Sequence, residues 1–136
     1  MLQEPVVIKA RHIAVLAARA RAVRDRLLEK VPDAVLGEPM PARGEHNPSA
    51  IVALNGVLEH EPAFVTLREA IMALPRTVRD RLAVVQRVGR GEVAILDWDD
   101  ALAEATLLRD EDITAAMIGD ADLHDHLRKC LYVLGS

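Results

Sequence analysis

The sequence predicts an all-α fold: a compact multi-helix domain with one long N-terminal helix followed by about five or six shorter ones. Three observations predict it. Apolar residues recur at spacings of three and four along most of the chain, the period of a helix with one buried face. Proline and glycine fall between these runs and punctuate them. The chain has 136 residues and is 51% apolar, enough for one buried core and too short for two of ordinary size.

The first helix is expected over residues 6–30. Pro5 suits its first turn. Ile13, Leu16, Ala20, Val23 and Leu27 form a heptad seam, and the basic residues lie largely off it. At 1.5 Å per residue this helix is about 37 Å long, against a radius of gyration of about 14 Å for a domain of this size. It therefore backs the whole core or supplies part of a dimer interface. Residues 31–48 form an irregular connector broken by Pro32, Gly37, Pro39, Pro41, Gly44 and Pro48. Asn47 then serves as an N-cap with Pro48 in the first turn. The helical body, residues 49–135, follows. Ile51, Leu54 and Leu58 mark one helix, and Phe64, Leu67, Ile71 and Leu74 a second between Pro62 and Pro75. Val78, Leu82, Val85 and Val88 mark a third, closed by Gly89-Arg90-Gly91 with glycine in its left-handed role. Val93 to Leu96 reads as an extended stretch or a buried turn. Asp97 is expected to cap a helix with Trp98, Ala101, Leu102, Ala105 and Leu108 on one face. Residues 112–118 form a short helix stopped at Gly119. The last helix, from about Asp120, aligns Leu123, Leu127, Cys130, Leu131 and Leu134 and stops at Gly135. No internal repeat or domain boundary interrupts residues 1–136.

Composition narrows function mainly by exclusion. Aromatics are 2% of the chain, only Phe64, Trp98 and Tyr132, so a stacking platform for single-stranded nucleic acid is ruled out. A single cysteine, Cys130, cannot form an internal disulfide, and a reducing cytoplasmic setting is expected. No apolar run has the length of a membrane span, and Lys9, Arg11, Arg19 and Arg21 break up any signal-peptide core. The net charge of −4 is unevenly spread. Residues 1–30 carry +4, residues 31–91 are neutral, and residues 92–136 carry −8. The opposed ends are expected to attract each other, within one subunit or between two. A nucleic-acid role through Arg19, Arg21, Arg24 and Arg26 is the less favoured reading, because the acidic third would repel the same polyanion.

No catalytic set assembles from the sequence. Asp97, Asp100 and Glu104 share a helix face, and such a column suits Mg²⁺ or Mn²⁺. One helix supplies too few ligands, however, and no Glu-x-x-His completes a two-metal bundle. Asp122 and His126, four apart, are a better-spaced ligand pair than His124 and His126, whose rings diverge on a helix. An ordinary Asp–His hydrogen bond explains them as well. Cys130 lies on the apolar face of the last helix, which argues for a buried role over a nucleophilic one. Gly89-Arg90-Gly91 lacks the strand and the Lys-Ser/Thr of a phosphate-binding loop. Neither a metal nor a cofactor is expected.

The C-terminal half resembles an uncharacterised bacterial family of small helical proteins, known only as a domain of unknown function. Leu67-Arg68-Glu69-Ala70-Ile71, Gly89-Arg90-Gly91, Trp98 with Ala101-Leu102 and Ala105, Ile118-Gly119, Leu123, Leu127 and Leu131 through Leu134-Gly135 carry the resemblance. Asn47-Pro48 also suits the pattern, so coverage is about residues 47–135. The chain departs from it at Arg87, where members commonly carry an aromatic residue, and at Ala116, Ala121 and Cys130, where they tend to carry tyrosine, proline and glycine. The resemblance implies a helical domain without an established activity or cofactor. The expected function is therefore a non-catalytic protein-interaction or regulatory module that self-associates, as a homodimer with a further protein partner. Its interaction seam would be Ile13, Leu16, Ala20, Val23 and Leu27. The alternatives are the nucleic-acid regulator and a metal-dependent enzyme using the 97–104 cluster.

Overall fold

A computed structural model describes residues 2–30 and 57–135. Among them the architecture is all-α. Helix α1 runs Glu4–Lys30, α2 Pro62–Met72, α3 Arg76–Gly89, α4 Trp98–Thr106, α5 Asp110–Ile118 and α6 Leu123–Val133, with a 3₁₀ turn at Ile95–Asp97 before α4. Residues 57–60 are also helical, and Leu58 there is buried. The expected Asn47 cap, Ile51, Leu54 and the 31–48 connector lie outside the described residues.

Helix α3 sits at the centre, packed by α6, α4, α5 and α1, while α1 lies across α6 and α2. The reason α1 can lie so close is its stripe of small residues: Ala10, Ala14, Ala17 and Ala20 are buried beside Ile13 and Leu16. Small side chains let helix axes approach, and the larger residues between them fill the space left. This corrects the expected interaction seam. Ile13, Leu16 and Ala20 are consumed by the chain's own core, and only Val23 and Leu27 stay half-buried. The core continues through Leu67, Ile71, Leu82, Val85, Ile113 and Met117 to Leu123, Leu127, Cys130 and Leu131.

Helix α3 is buried almost all round. The expected face, Leu82 and Val85 with Val78 and Val88 at its edges, is present, but Val84, Arg79, Asp80 and Gln86 are buried too. Its polar side chains are satisfied by neighbours. Arg79 donates to the Leu74 carbonyl at 3.2 Å and to Thr114 Oγ1 at 3.2 Å. Arg76 ties together Asp80 at 2.6 Å, Asp110 at 2.6 Å and the carbonyls of Ala105 and Leu108. That network closes the α4–α5 corner onto the start of α3. The hydrogen bond from Arg76, with the nearby charge of Arg79, holds the Asp110 carboxyl below the usual carboxylate range.

The end of α3 carries two different glycine requirements. Gly91 takes φ = +84° just past the helix, the left-handed stop expected there. Gly89 lies where α6 crosses: a Cβ on it would overlap the carbonyl oxygen of His126 and stand 2.8 Å from its Cα. Gly119, in contrast, ends α5 with an ordinary right-handed φ of −71°.

Three local expectations need correction. Val93 to Leu96 is not buried throughout: Val93 and Ile95 are half-buried and Ala94 has an extended backbone, but the segment leads into the 3₁₀ turn and Leu96 is 98% exposed. Asp97 occupies the position before α4 but makes no side-chain capping bond, since it closes the 3₁₀ turn with φ near −98°. Leu108 is exposed because α4 ends at Thr106 and the chain turns before reaching it.

Candidate functional site

The densest polar constellation lies where the α5–α6 turn meets α1 and α3. The turn is short because Asp120 folds it: its Oδ1 accepts from the Asp122 backbone N–H at 3.0 Å. Its Oδ2 accepts from Gln86 Nε2 on α3 at 2.9 Å and lies 2.6 Å from His126 Nδ1 on α6. Gln86 also donates to the Ala116 carbonyl at 3.2 Å. Burial alone would raise the Asp120 carboxyl, but the bonds from Gln86, His126 and the Asp122 backbone outweigh it and hold the group below its ordinary value. From α1, Arg21 reaches Asp122 Oδ1 at 2.5 Å and the Ala121 carbonyl at 3.1 Å while pairing with Asp25 along its own helix. Four elements thus converge on six residues.

Asp120, Asp122 and His126 bring three ligand atoms within 4.8 Å of one another, the only such group among the described residues. Asp122 and His126 are the pair expected from spacing, and Asp120 is the member that spacing missed. The donors already present fit a polar lock better than a metal. Asp120 Oδ2 takes two donors, and Asp122 is held by a guanidinium, which would repel a second cation in the same shell. With its Nδ1 proton aimed at Asp120, His126 offers no lone pair inward; that tautomer is assigned from the network.

Asp97, in the 3₁₀ turn, and Asp100 and Glu104 on α4 are exposed and join no ligand from another helix among the described residues. Glu104 instead pairs with Arg87 of α3 at 3.1 Å. Of the four arginines suggested for nucleic acid, Arg21 is committed to Asp25 and Asp122, Arg19 and Arg26 are exposed, and Arg24 is half-buried. Cys130 is fully buried, and burial pushes its thiol up to about 11, the opposite of an activated nucleophile. His124 Nδ1 is buried without a partner among the described residues.

The concavities are modest. A pit of about 120 Å³ is walled by Ala17, Ala20, Phe64, Leu67 and Ile118 with Arg21 and Arg24, below the several hundred Å³ typical of a small-molecule site. An open groove of about 660 Å³ runs between α2 and α5 past Arg68, Met72, Arg79 and Asp110, with no nucleophile beside a base. At the far end of α3 and α6, Val88, Cys130, Tyr132 and Val133 line an apolar groove of about 470 Å³ with Arg128 and Lys129.

Compared with known proteins, the chain matches no family model, no curated sequence and no solved structure. The family resemblance drawn from residues 47–135 therefore stands as an expectation. No helix among the described residues is long and apolar enough to cross a membrane.

Proposed function

We propose that this protein is a non-catalytic interaction module that associates with itself. One observation carries the reading: opposite-signed surfaces of the same chain each hold large apolar side chains in solvent. On the acidic side, Leu96, Leu107 and Leu108 are exposed among Asp97, Asp99, Asp100 and Glu111. On the basic side, Ile8 and Val15 are exposed on α1 beside Lys9, Arg11 and Arg19, and Tyr132 and Val133 beside Arg128 and Lys129. Apolar patches rimmed by charge mark contact surfaces. Among the described residues a single ion pair, Arg21–Asp122, joins the first 30 residues to the last 45. Most of the attraction between the two ends is thus available to a neighbouring molecule. Sedimentation equilibrium at about 0.1 M and about 1 M salt tests this, since the Debye length falls from about 10 Å to 3 Å. The expected result is a dimer that weakens as salt rises; a monomer at high concentration in both buffers refutes the reading.

A further inference from the structure

Resting on self-association, we infer that Leu96 of one copy seats in the groove between the C-terminal ends of α3 and α6 of a second copy. The 3₁₀ turn holds Leu96 out at 98% exposure, while Trp98 two residues on is buried and anchors the turn to the core. Asp97, Asp99 and Asp100 follow it in the chain, are exposed and make no ion pair among the described residues; Asp99 shares with Leu96 a shallow recess that Arg81 also lines. The knob is thus an apolar tip followed by three exposed carboxylates against one neighbouring cation, Arg81.

The groove is its complement. Val88, Tyr132 and Val133 supply an apolar lining over the buried Cys130, and the charged members, Arg128 and Lys129, are both cationic. Tyr132 at 86% and Val133 at 63% exposure extend that lining into open solvent. Lys129 also meets Asp125 at 3.0 Å, but both side chains are more than half or half exposed, and such a pair is readily given up. The recess beside the other basic surface, the pit that Arg21 and Arg24 of α1 help to wall, is only about 120 Å³, against about 470 Å³ for this groove. A second copy carries both knob and groove, so the contact made twice about a two-fold axis closes a dimer.

The test is sedimentation equilibrium on the full chain and four variants. Leu96→Asp removes the apolar tip at a fully exposed position, so folding is not at stake, and circular dichroism confirms it. The expected dissociation constant rises at least ten-fold. Asp97→Lys with Asp99→Lys reverses the knob, and Arg128→Glu with Lys129→Glu reverses the rim. Each double variant alone is expected to be monomeric. Mixed in equal amounts, they are expected to form a heterodimer, because both contacts then join opposite charges again. A wild-type dimer unaffected by Leu96→Asp and by rim reversal overturns this inference and leaves self-association intact. Loss of that dimer in Arg19→Glu with Arg26→Glu would then place the contact on α1. A monomeric wild type overturns self-association itself.

Discussion

Replacing Gly89 with alanine sets two physical effects against each other. In helix interiors alanine is favoured over glycine by about 1 kcal/mol, so local propensity alone predicts a more stable protein. The crossing of α3 and α6 predicts the reverse. A methyl group at residue 89 would overlap the His126 carbonyl oxygen and lie 2.5 Å from its carbon, where ordinary contact begins near 3.4 Å. Backbone stands on both sides of that clash, so no flexible side chain can yield. The helices must part by roughly 1 Å, loosening Val85, Leu127 and Leu131 around them. Overpacking costs typically 1–3 kcal/mol, and a backbone-on-backbone clash belongs at about 3 kcal/mol. Net of propensity, Gly89→Ala should destabilise by about 2 kcal/mol, lowering the melting temperature by roughly 8 °C for a chain of this size. Urea unfolding followed by far-ultraviolet circular dichroism measures it. Gly91→Ala is the control: its positive φ should cost about 1 kcal/mol through backbone strain, with nothing within 4 Å to strike. A Gly89→Ala protein as stable as the wild type would refute the close crossing.

The polar lock and the buried thiol yield two further tests. Asp120→Asn keeps the shape but loses the charge that Gln86 and His126 address, and should destabilise by about 2 kcal/mol near neutral pH. The folded Asp120 carboxyl titrates below its unfolded value of 3.8, so its contribution is present above that pH and is lost as pH falls through the folded value. The gap between wild type and variant in urea midpoints should therefore shrink below about pH 4; a gap constant from pH 7 to pH 3 would contradict the assignment. Cys130 should resist an aromatic disulfide reagent at pH 8 in the folded protein. With its thiol at about 11 against 9.0 unperturbed, thiolate supply alone slows labelling about 100-fold relative to the unfolded chain. Labelling at comparable rates in both states would show the site to be open.

Much of the fold is written in periodicity. Leu67, Ile71 and Leu74, or Leu123, Leu127 and Leu131, are large apolar residues at helical spacing, and each is buried. The alanine stripe of α1 is harder to read, because Ala10, Ala14 and Ala17 carry little hydrophobic signal and are buried for their size. The polar members of α3 run against expectation altogether. Arg79 and Gln86 look like a solvated face until Thr114 and Asp120 arrive from elsewhere in the chain, while Asp80 pairs with Arg76 one turn back on the same helix. Asp120 went unnoticed for the same reason: its partner Gln86 lies 34 residues away, beyond any local pattern. The acidic column on α4 was misleading in the opposite sense, since shared spacing on one helix says nothing about ligands from another. An apolar run such as Val93 to Leu96 suits an extended stretch or a buried turn equally well, and the 3₁₀ turn directs Leu96 out.

The packing of α1 against α6 has a consequence for how the chain comes off the ribosome. Arg21 and Asp122 meet across 101 positions of sequence, and the apolar stripe of the first helix is covered by α6 on one side and by α2 on the other. A helix with that stripe can form early, but its cover is incomplete until residues 123–133 have been synthesised. At about 5–20 residues per second the α6 side of α1 stays bare for several seconds after α2 has emerged to cover the other side. Losing α6 would uncover that side of α1 and of the central α3 while leaving the contacts of α1 with α2 and of α3 with α4 and α5 in place.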